Sequence, residues 1–267
     1  MTASTRSFSA DNCPVCGGAS GERTLAVLDA KVRVRVACDC EIDEWEQREA
    51  ERRFREWHER EVRVFFSAAN VGSAYCNATL EAFEPRFGTQ DALTACRRIV
   101  EGWPNVRGLV LLGDWTDPKR NYGNGKTHLG MAVVNALIAR QVRAIPVTFP
   151  YLLQLIRATW DGRSDVRFGE LDLLHKCIHA DLLFIDDLGA EHIGRQDGDG
   201  PSWAQDRLFQ IVDGRVRGNR PMLITSNLSP AALEERVGPR VWSRLLGACD
   251  FVRVAATDYR REKAGLA

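Results

Sequence analysis

Apolar and polar residues alternate with period two along Val32-Arg33-Val34-Arg35-Val36. With Thr24 to Leu28 before it, this run predicts a hairpin whose strands flank Asp29-Ala30-Lys31. From Glu41 to Arg63 the spacing becomes helical: Ile42, Trp45, Phe54 and Trp57 recur among dense Glu and Arg, with no Gly or Pro to interrupt. One long amphipathic helix is predicted there. Asn70 to Pro104 reads as a connecting region with one further helix, Asp91 to Val100. Beyond it, short apolar runs dominate. Leu109 to Leu112, Asp181 to Ile185, Pro221 to Thr225 and Phe251 to Val254 read as buried strands of a parallel sheet. Between the first two, Lys126 to Arg140 is almost wholly apolar in its middle, as a helix buried against such a sheet must be.

Length and composition fit this picture: 267 residues, 45% hydrophobic and 27% charged, allow an αβα domain with an appendage. The 36 basic and 36 acidic side chains cancel, so any nucleic-acid contact must come from a local patch. No apolar run has the length of a signal peptide or a membrane span, which leads us to expect a cytoplasmic protein with no membrane partner. Of the eight cysteines, Cys76, Cys96, Cys177 and Cys249 are scattered among apolar neighbours, as in a reducing compartment.

The other four have metal-ligand spacing. Cys13-Pro-Val-Cys16 and Cys38-Asp-Cys40 form a CxxC…CxC pattern, and four thiolates give tetrahedral zinc with no open position. A structural zinc ribbon holding the hairpin is therefore expected. Lys31, Arg33 and Arg35 share one strand face, which either touches DNA phosphates or is simply solvated.

Strand, Gly-rich loop and helix follow one another at Leu109 to Arg140, which is the context a phosphate-binding loop requires. Gly123-Asn124-Gly125-Lys126-Thr127-His128 opens the helix. Its amides and positive end suit phosphate, Lys126 the β- and γ-phosphates, and the Thr127 hydroxyl magnesium. The spacing is irregular. The usual motif puts glycine where Arg120 stands, and the nearest earlier glycine is Gly113, so Asp114 to Tyr122 reads as carrying an insertion of about seven residues.

Asp181-Leu-Leu-Phe-Ile185-Asp186-Asp187 is an apolar strand ending in two carboxylates. Asp186 suits magnesium, and Asp187 suits a general base that polarises water. Asn227, after the strand Pro221 to Thr225, is either a turn former or a group that orients water or the γ-phosphate. Arg240 and Arg244 lie one helical turn apart and are either surface charges or groups that reach a neighbouring subunit's site.

In order along the chain, the ribbon, GNGKTHL, LLFIDDLG, ITSNLS, GPRVWSRL and DYR resemble the DnaC/DnaI helicase-loader family and its IstB-like transposition relatives, ATPases of the AAA+ type. The resemblance runs over roughly residues 80 to 261 and is most specific at Leu182 to Gly189 and Gly238 to Leu245. It implies ATP or ADP with magnesium at Lys126, Thr127 and Asp186, with Asp187, Asn227, Arg244 and Arg240 as catalytic residues. The implied fold is an αβα core with a five-stranded parallel sheet in the order 5-1-4-3-2. Because the tail after Val254 is short, no C-terminal helical lid is expected, and with it no second sensor arginine. The Asp114 to Tyr122 segment and the Glu191 to Pro201 loop lie outside the family pattern.

The resemblance also implies a division of labour. Residues 1–65, ribbon and helix, would grip the replicative DNA helicase, and residues 66–267 would form the ATPase domain, which contacts single-stranded DNA and self-associates through the Arg244 finger. Arg157-Ala-Thr-Trp160 with Arg163 and Arg167 is either a strand-binding loop or an amphipathic helix with its basic side in water. Two other functions share this core: a transposition helper acting on duplex DNA, and a nucleotide-binding adaptor with little turnover.

Overall fold

The computed structural model describes residues 21–27, 30–36, 47–58, 65, 70–71, 75–117, 120–160, 169–190 and 202–265. The chain divides into two compact units, Met1–Glu56 and Trp57–Ala267. In the first, β1 (Gly21–Val27) and β2 (Ala30–Val36) pair antiparallel, from Gly21↔Val36 to Val27↔Ala30. The register carries Ala30 and Lys31 into β2, although side-chain alternation put them in the turn, because main-chain pairing needs no apolar side chain. Helix α1 spans residues 47–58 of the predicted Glu41 to Arg63 helix. Within it Glu49 accepts from Arg52 at 2.6 Å and from Arg53 at 2.9 Å, the pairs that spacings of three and four allow. The expected zinc ligands Cys13, Cys16, Cys38 and Cys40 lie outside the described residues.

The second unit is built on one parallel sheet of β3 (Gly108–Gly113), β4 (Ala144–Thr148), β5 (Leu182–Asp186), β6 (Met222–Ser226) and β7 (Cys249–Val254), ordered β4-β5-β6-β3-β7. Counting β3 as the first strand of this sheet, that is the expected 5-1-4-3-2 order. Successive side chains point to opposite faces. Leu109, Leu111, Phe184 and Leu223 pack under α2 (Gln90–Gly102) and α3 (Lys126–Ile138). Val110, Leu112, Ile185 and Ile224 face α4 (Phe149–Ala158), α5 (Glu170–His179), α6 (Trp203–Arg217), α7 (Pro230–Val237) and α8 (Pro239–Ala248). A five-residue helix, α9 (Tyr259–Lys263), follows β7. Among the described residues no helix is long and apolar enough to cross a membrane.

Strand β4 escaped the apolar-run reading because it contains Pro146. Proline cannot donate within a sheet, but β4 is an edge. Asn70 covers that edge: its Nδ2 donates to the Pro146 carbonyl at 2.8 Å and its Oδ1 accepts from Thr148 N at 2.7 Å. Arg215 of α6 is fully buried, and its guanidinium donates to main-chain carbonyls. Nη1 donates to the carbonyls of Cys177, Ile178 and Ala180, and Nη2 to those of Asp181 and Pro221, at 2.6 to 3.2 Å. Burial pushes its pKa down to about 9. The guanidinium thus caps the end of α5 and ties it to the entries of β5 and β6.

Candidate nucleotide site

The carboxyl ends of the parallel strands are where an α/β sheet leaves a crevice. Here the end of β3 leads through residues 114–125 into α3, and a cleft of about 320 Å³ opens in front of the α3 N-terminus. Gly123, Asn124, Gly125, Lys126, Thr127 and His128 all line it, as predicted. The two glycines are required by conformation: Gly123 has φ +61° and Gly125 φ +93°, and an added Cβ would come within 1.8 Å of Asp258 Oδ1 or 2.7 Å of the Phe83 ring. Asn124 is buried and anchors the turn, donating to the Arg120 carbonyl at 2.9 Å and to the Val254 carbonyl, at the end of β7, at 2.8 Å.

Lys126 is 5% exposed. Its ammonium donates to the Asn121 carbonyl at 2.9 Å and to Asn124 Oδ1 at 2.8 Å. Burial lowers its pKa to about 8, with Asp187 and Asp186 opposing the shift. Thr127 Oγ1 donates to the Asp186 carboxylate at 3.1 Å, joining the start of α3 to the end of β5. Asp186 is buried, and burial raises its pKa to about 6, with the neighbouring Asp187 adding to the rise. A hydroxyl and a buried carboxylate in contact are hard oxygen donors, and they fit a magnesium ion shared with phosphates.

Thr225 on β6 was not singled out by sequence reading, yet its hydroxyl orders both acids. Oγ1 donates to Asp186 Oδ1 at 2.6 Å and accepts from Asp187 N at 3.0 Å. Asp187 itself has φ +54°, a left-handed turn that sends its carboxylate out of the strand line into the cleft. There Asn227 Nδ2 donates to Asp187 Oδ1 at 3.2 Å. The structure therefore brings Lys126, Thr127, Asp186, Asp187 and Asn227 together from three strand ends.

The remaining walls come from distant segments. Phe83 and Tyr75 belong to the stretch before α2; His128 stands between them, its ring 5.6 Å from Phe83 and its Nε2 3.3 Å from the Thr79 carbonyl. The C-terminal tail closes the cleft beside them, where Tyr259 N donates to the Gly123 carbonyl at 3.0 Å. Arg260, on α9, lines the cleft and donates to Tyr75 Oη at 2.9 Å. A C-terminal arginine thus reaches the cleft on five helical residues, because Asp258 caps α9 and the Gly123 carbonyl anchors it. The DYR signature carried that residue without revealing its place.

The insertion before the loop is well tethered. Asp114, buried at its root, accepts from Thr116 N and Oγ1 and from Arg253 Nη2 at 2.6 to 3.1 Å. At its far end Asn121 Nδ2 donates to the Asn227 carbonyl at 2.8 Å.

Arg240 and Arg244 are on α8, as predicted, and neither lines the cleft of its own chain. Both lie over the Phe209 ring of α6, with guanidinium carbons 3.8 and 4.6 Å from its centroid.

Comparison with known proteins agrees with this arrangement. Residues 54–267 match the family of IstB-like ATP binding proteins. The replicative helicase loader DnaC of Buchnera aphidicola subsp. Schizaphis graminum is 25% identical over 251 residues, 91% of this chain and 96% of that protein. The replicative helicase loader DnaC of Escherichia coli is 24% identical over 203 residues, 75% of this chain and 76% of that one. A crystal structure of the DnaC helicase loader shares the fold, with a TM-score of 0.55 at 24% identity, covering 68% of this chain and 99% of that one. With a family match that starts in α1 and takes in the whole sheet and its phosphate loop, the chain belongs to the IstB-like ATP binding proteins, among relatives of the AAA+ helicase loaders.

Proposed function

We propose that this protein is an ATP-dependent loader of the replicative DNA helicase onto single-stranded DNA, with ATP binding and hydrolysis as the switch between assembly and release. The observation that carries the ATPase part is the junction of Thr127, Asp186, Thr225 and Asp187 at two strand ends and the start of α3. The relatives named as helicase loaders, aligned over nearly their full length, support the loader part.

In this reading Lys126, whose ammonium is held by the Asn121 carbonyl and the Asn124 side chain, offers its positive charge to the γ-phosphate. Magnesium, when held by Thr127 and Asp186, neutralises charge on the transferred phosphoryl group. Asp187 takes the proton of the attacking water, its carboxylate held by the Asn227 amide. Arg260, which also lines the cleft, adds positive charge near Lys126. Turnover without a partner is slow, since an aspartate base is one methylene shorter than a glutamate.

Single-stranded DNA is read by a face at the end of α4. Trp160 is 55% exposed, and its ring meets Trp203 at 5.1 Å in an edge-on pair. Arg157 and Arg207 lie over the Trp203 ring at 4.9 and 5.6 Å. Aromatic rings interleaved with guanidinium groups suit stacked bases and their phosphates. Arg163 and Arg167 lie outside the described residues. Residues 1–65, organised by zinc at the four N-terminal cysteines, form the helicase-binding part.

The test is size-exclusion chromatography with the replicative helicase of the same source, ATP and magnesium. Co-elution that requires residues 1–65, followed by transfer of the helicase to single-stranded DNA, is expected. Separate elution together with filament formation on duplex DNA would replace the loader with a transposition helper. ATP binding without any hydrolysis sensitive to Lys126→Ala would leave an adaptor.

A further inference from the structure

An arginine that acts in a neighbour's site must arrive in one geometry, yet a free arginine side chain carries about 2 kcal/mol of rotamer entropy. Arg244 is not free. Its Nε donates to Asp213 Oδ1 at 2.6 Å, and its Nη1 to the Arg240 carbonyl at 3.1 Å. Nη2 has no hydrogen-bond partner among the described residues. The guanidinium plane lies over Phe209 at 4.6 Å, on the ring that Arg240 also covers. Phe209 and Asp213 are four residues apart on α6 and so share the face that packs against α8. The second carboxylate oxygen, Oδ2, accepts from Arg217 Nε at 2.9 Å and fixes the plane of the group. One carboxylate thus serves two guanidinium groups, with that of Arg240 close by over Phe209, and the cluster keeps a surplus of positive charge beside an unused donor edge. The side chain of Arg244 is 30% exposed. A cluster that served only to fix α6 against α8 would gain nothing from surplus charge or from an unpaired donor edge. A triphosphate in a second copy's cleft uses both.

We propose that Asp213, with Phe209 as its platform, is the positioning residue that holds Arg244 extended for the nucleotide site of a second copy of this chain. The proposal rests on the reading of Arg244 as a trans-acting finger. Asp213 touches no nucleotide itself. It acts by ordering the guanidinium before two copies meet, so the entropy of ordering falls on folding rather than on the transition state.

The experiment is ATP hydrolysis at saturating ATP with single-stranded DNA, together with ATP affinity, for Asp213→Asn, Asp213→Glu and Arg244→Ala. Asp213→Asn should lower kcat roughly ten- to a hundredfold while leaving ATP affinity unchanged, the size expected of a displaced catalytic group. Asp213→Glu should restore most of it. A mixing experiment adds a readout that a merely structural role would not move. Lys126→Ala subunits, unable to use their own sites, should still stimulate wild-type subunits, and Lys126→Ala/Asp213→Asn subunits should not. Wild-type kcat in Asp213→Asn alongside an inactive Arg244→Ala would overturn the proposal and leave the finger standing, as would loss of ATP binding in Asp213→Asn. Full activity in Arg244→Ala would instead remove the finger itself. If Asp213→Asn fails to fold, Phe209→Leu, which keeps apolar volume and removes the ring, carries the same test: unchanged kcat overturns the proposal, and a kcat loss at constant affinity supports it.

Discussion

Lys126 donates its ammonium to the main-chain carbonyl of Asn121 at 2.9 Å, and the same residue, through its side chain, holds the Asn227 carbonyl at 2.8 Å. The segment in front of the glycine loop is thus joined to both Lys126 and the strand end that carries Asn227.

This has a pH signature. Burial lowers Lys126 to about 8, against 10.5 for a solvated lysine, so the ammonium is present below pH 8 and lost as pH rises through that value. Bound phosphate restores it. ATP affinity should therefore be flat below pH 8 and fall by up to about tenfold per unit above it, with uptake of a proton on binding. Calorimetry at pH 8.5 to 9.5 in two buffers of different ionisation enthalpy measures that uptake; equal heats in both buffers would refute it.

Asp186 shifts the other way, raised by burial and by Asp187 to about 6 from 3.8. An acid raised on folding contributes stability that is complete below its unfolded value and lost as pH rises through about 6. Asp186→Asn should accordingly raise stability at pH 7.5 by about 2 kcal/mol while abolishing magnesium-dependent hydrolysis. In the unmodified protein the magnesium concentration needed for half-maximal hydrolysis should climb as pH falls below 6. Denaturation midpoints with and without magnesium test both statements.

Gly123→Ala places a Cβ 1.8 Å from Asp258 Oδ1 on a backbone with φ +61°. The loop and the C-terminal tail must both shift, so ATP binding should be lost while the thermal midpoint falls only modestly, the strain amounting to about 1–3 kcal/mol. Binding of a fluorescent ATP analogue at wild-type affinity would contradict this.

Arg215→Met keeps the volume of the buried side chain and leaves its carbonyl partners without a donor. Unfolding free energy should fall by about 3 kcal/mol or more, since each unsatisfied buried group costs about 1–3 kcal/mol. Urea denaturation reads this directly; a change below about 1 kcal/mol would mean that water replaces the guanidinium.

Four thiolates at Cys13, Cys16, Cys38 and Cys40 should hold about one zinc per chain, with loss of the metal unfolding the first unit and sparing the ATPase core. Metal analysis of protein purified without chelators decides it, and a content far below one would exclude the four-thiolate site.

Much of the fold and most of the phosphate-binding site were legible in the chain because their signals are local. A buried parallel strand must be continuously apolar, as Leu182 to Ile185 is, and a phosphate loop must put glycines directly ahead of its lysine. Where the local pattern was broken the reading failed: Pro146 hides an edge strand, and the Asp114 to Tyr122 segment breaks the expected glycine spacing. Thr225, Tyr75 and Phe83 gave no signal, since nothing in their own neighbourhoods marks them.

By itself, the sequence determined four of the sheet's five strands, the loop that opens α3, the pair of acids at the end of β5 and the arginines of α8, all through periodicity and residue chemistry within about fifteen positions. Tertiary structure alone decided which distant groups meet. It set Thr225 behind both acids, brought Arg260 from the tail to the cleft, tied Lys126 to the insertion, and seated Arg244 on Phe209 and Asp213. Those contacts join residues up to 185 positions apart, as between Tyr75 and Arg260. The stacking of helices on a twisted sheet creates such proximity, and no one-dimensional pattern records it.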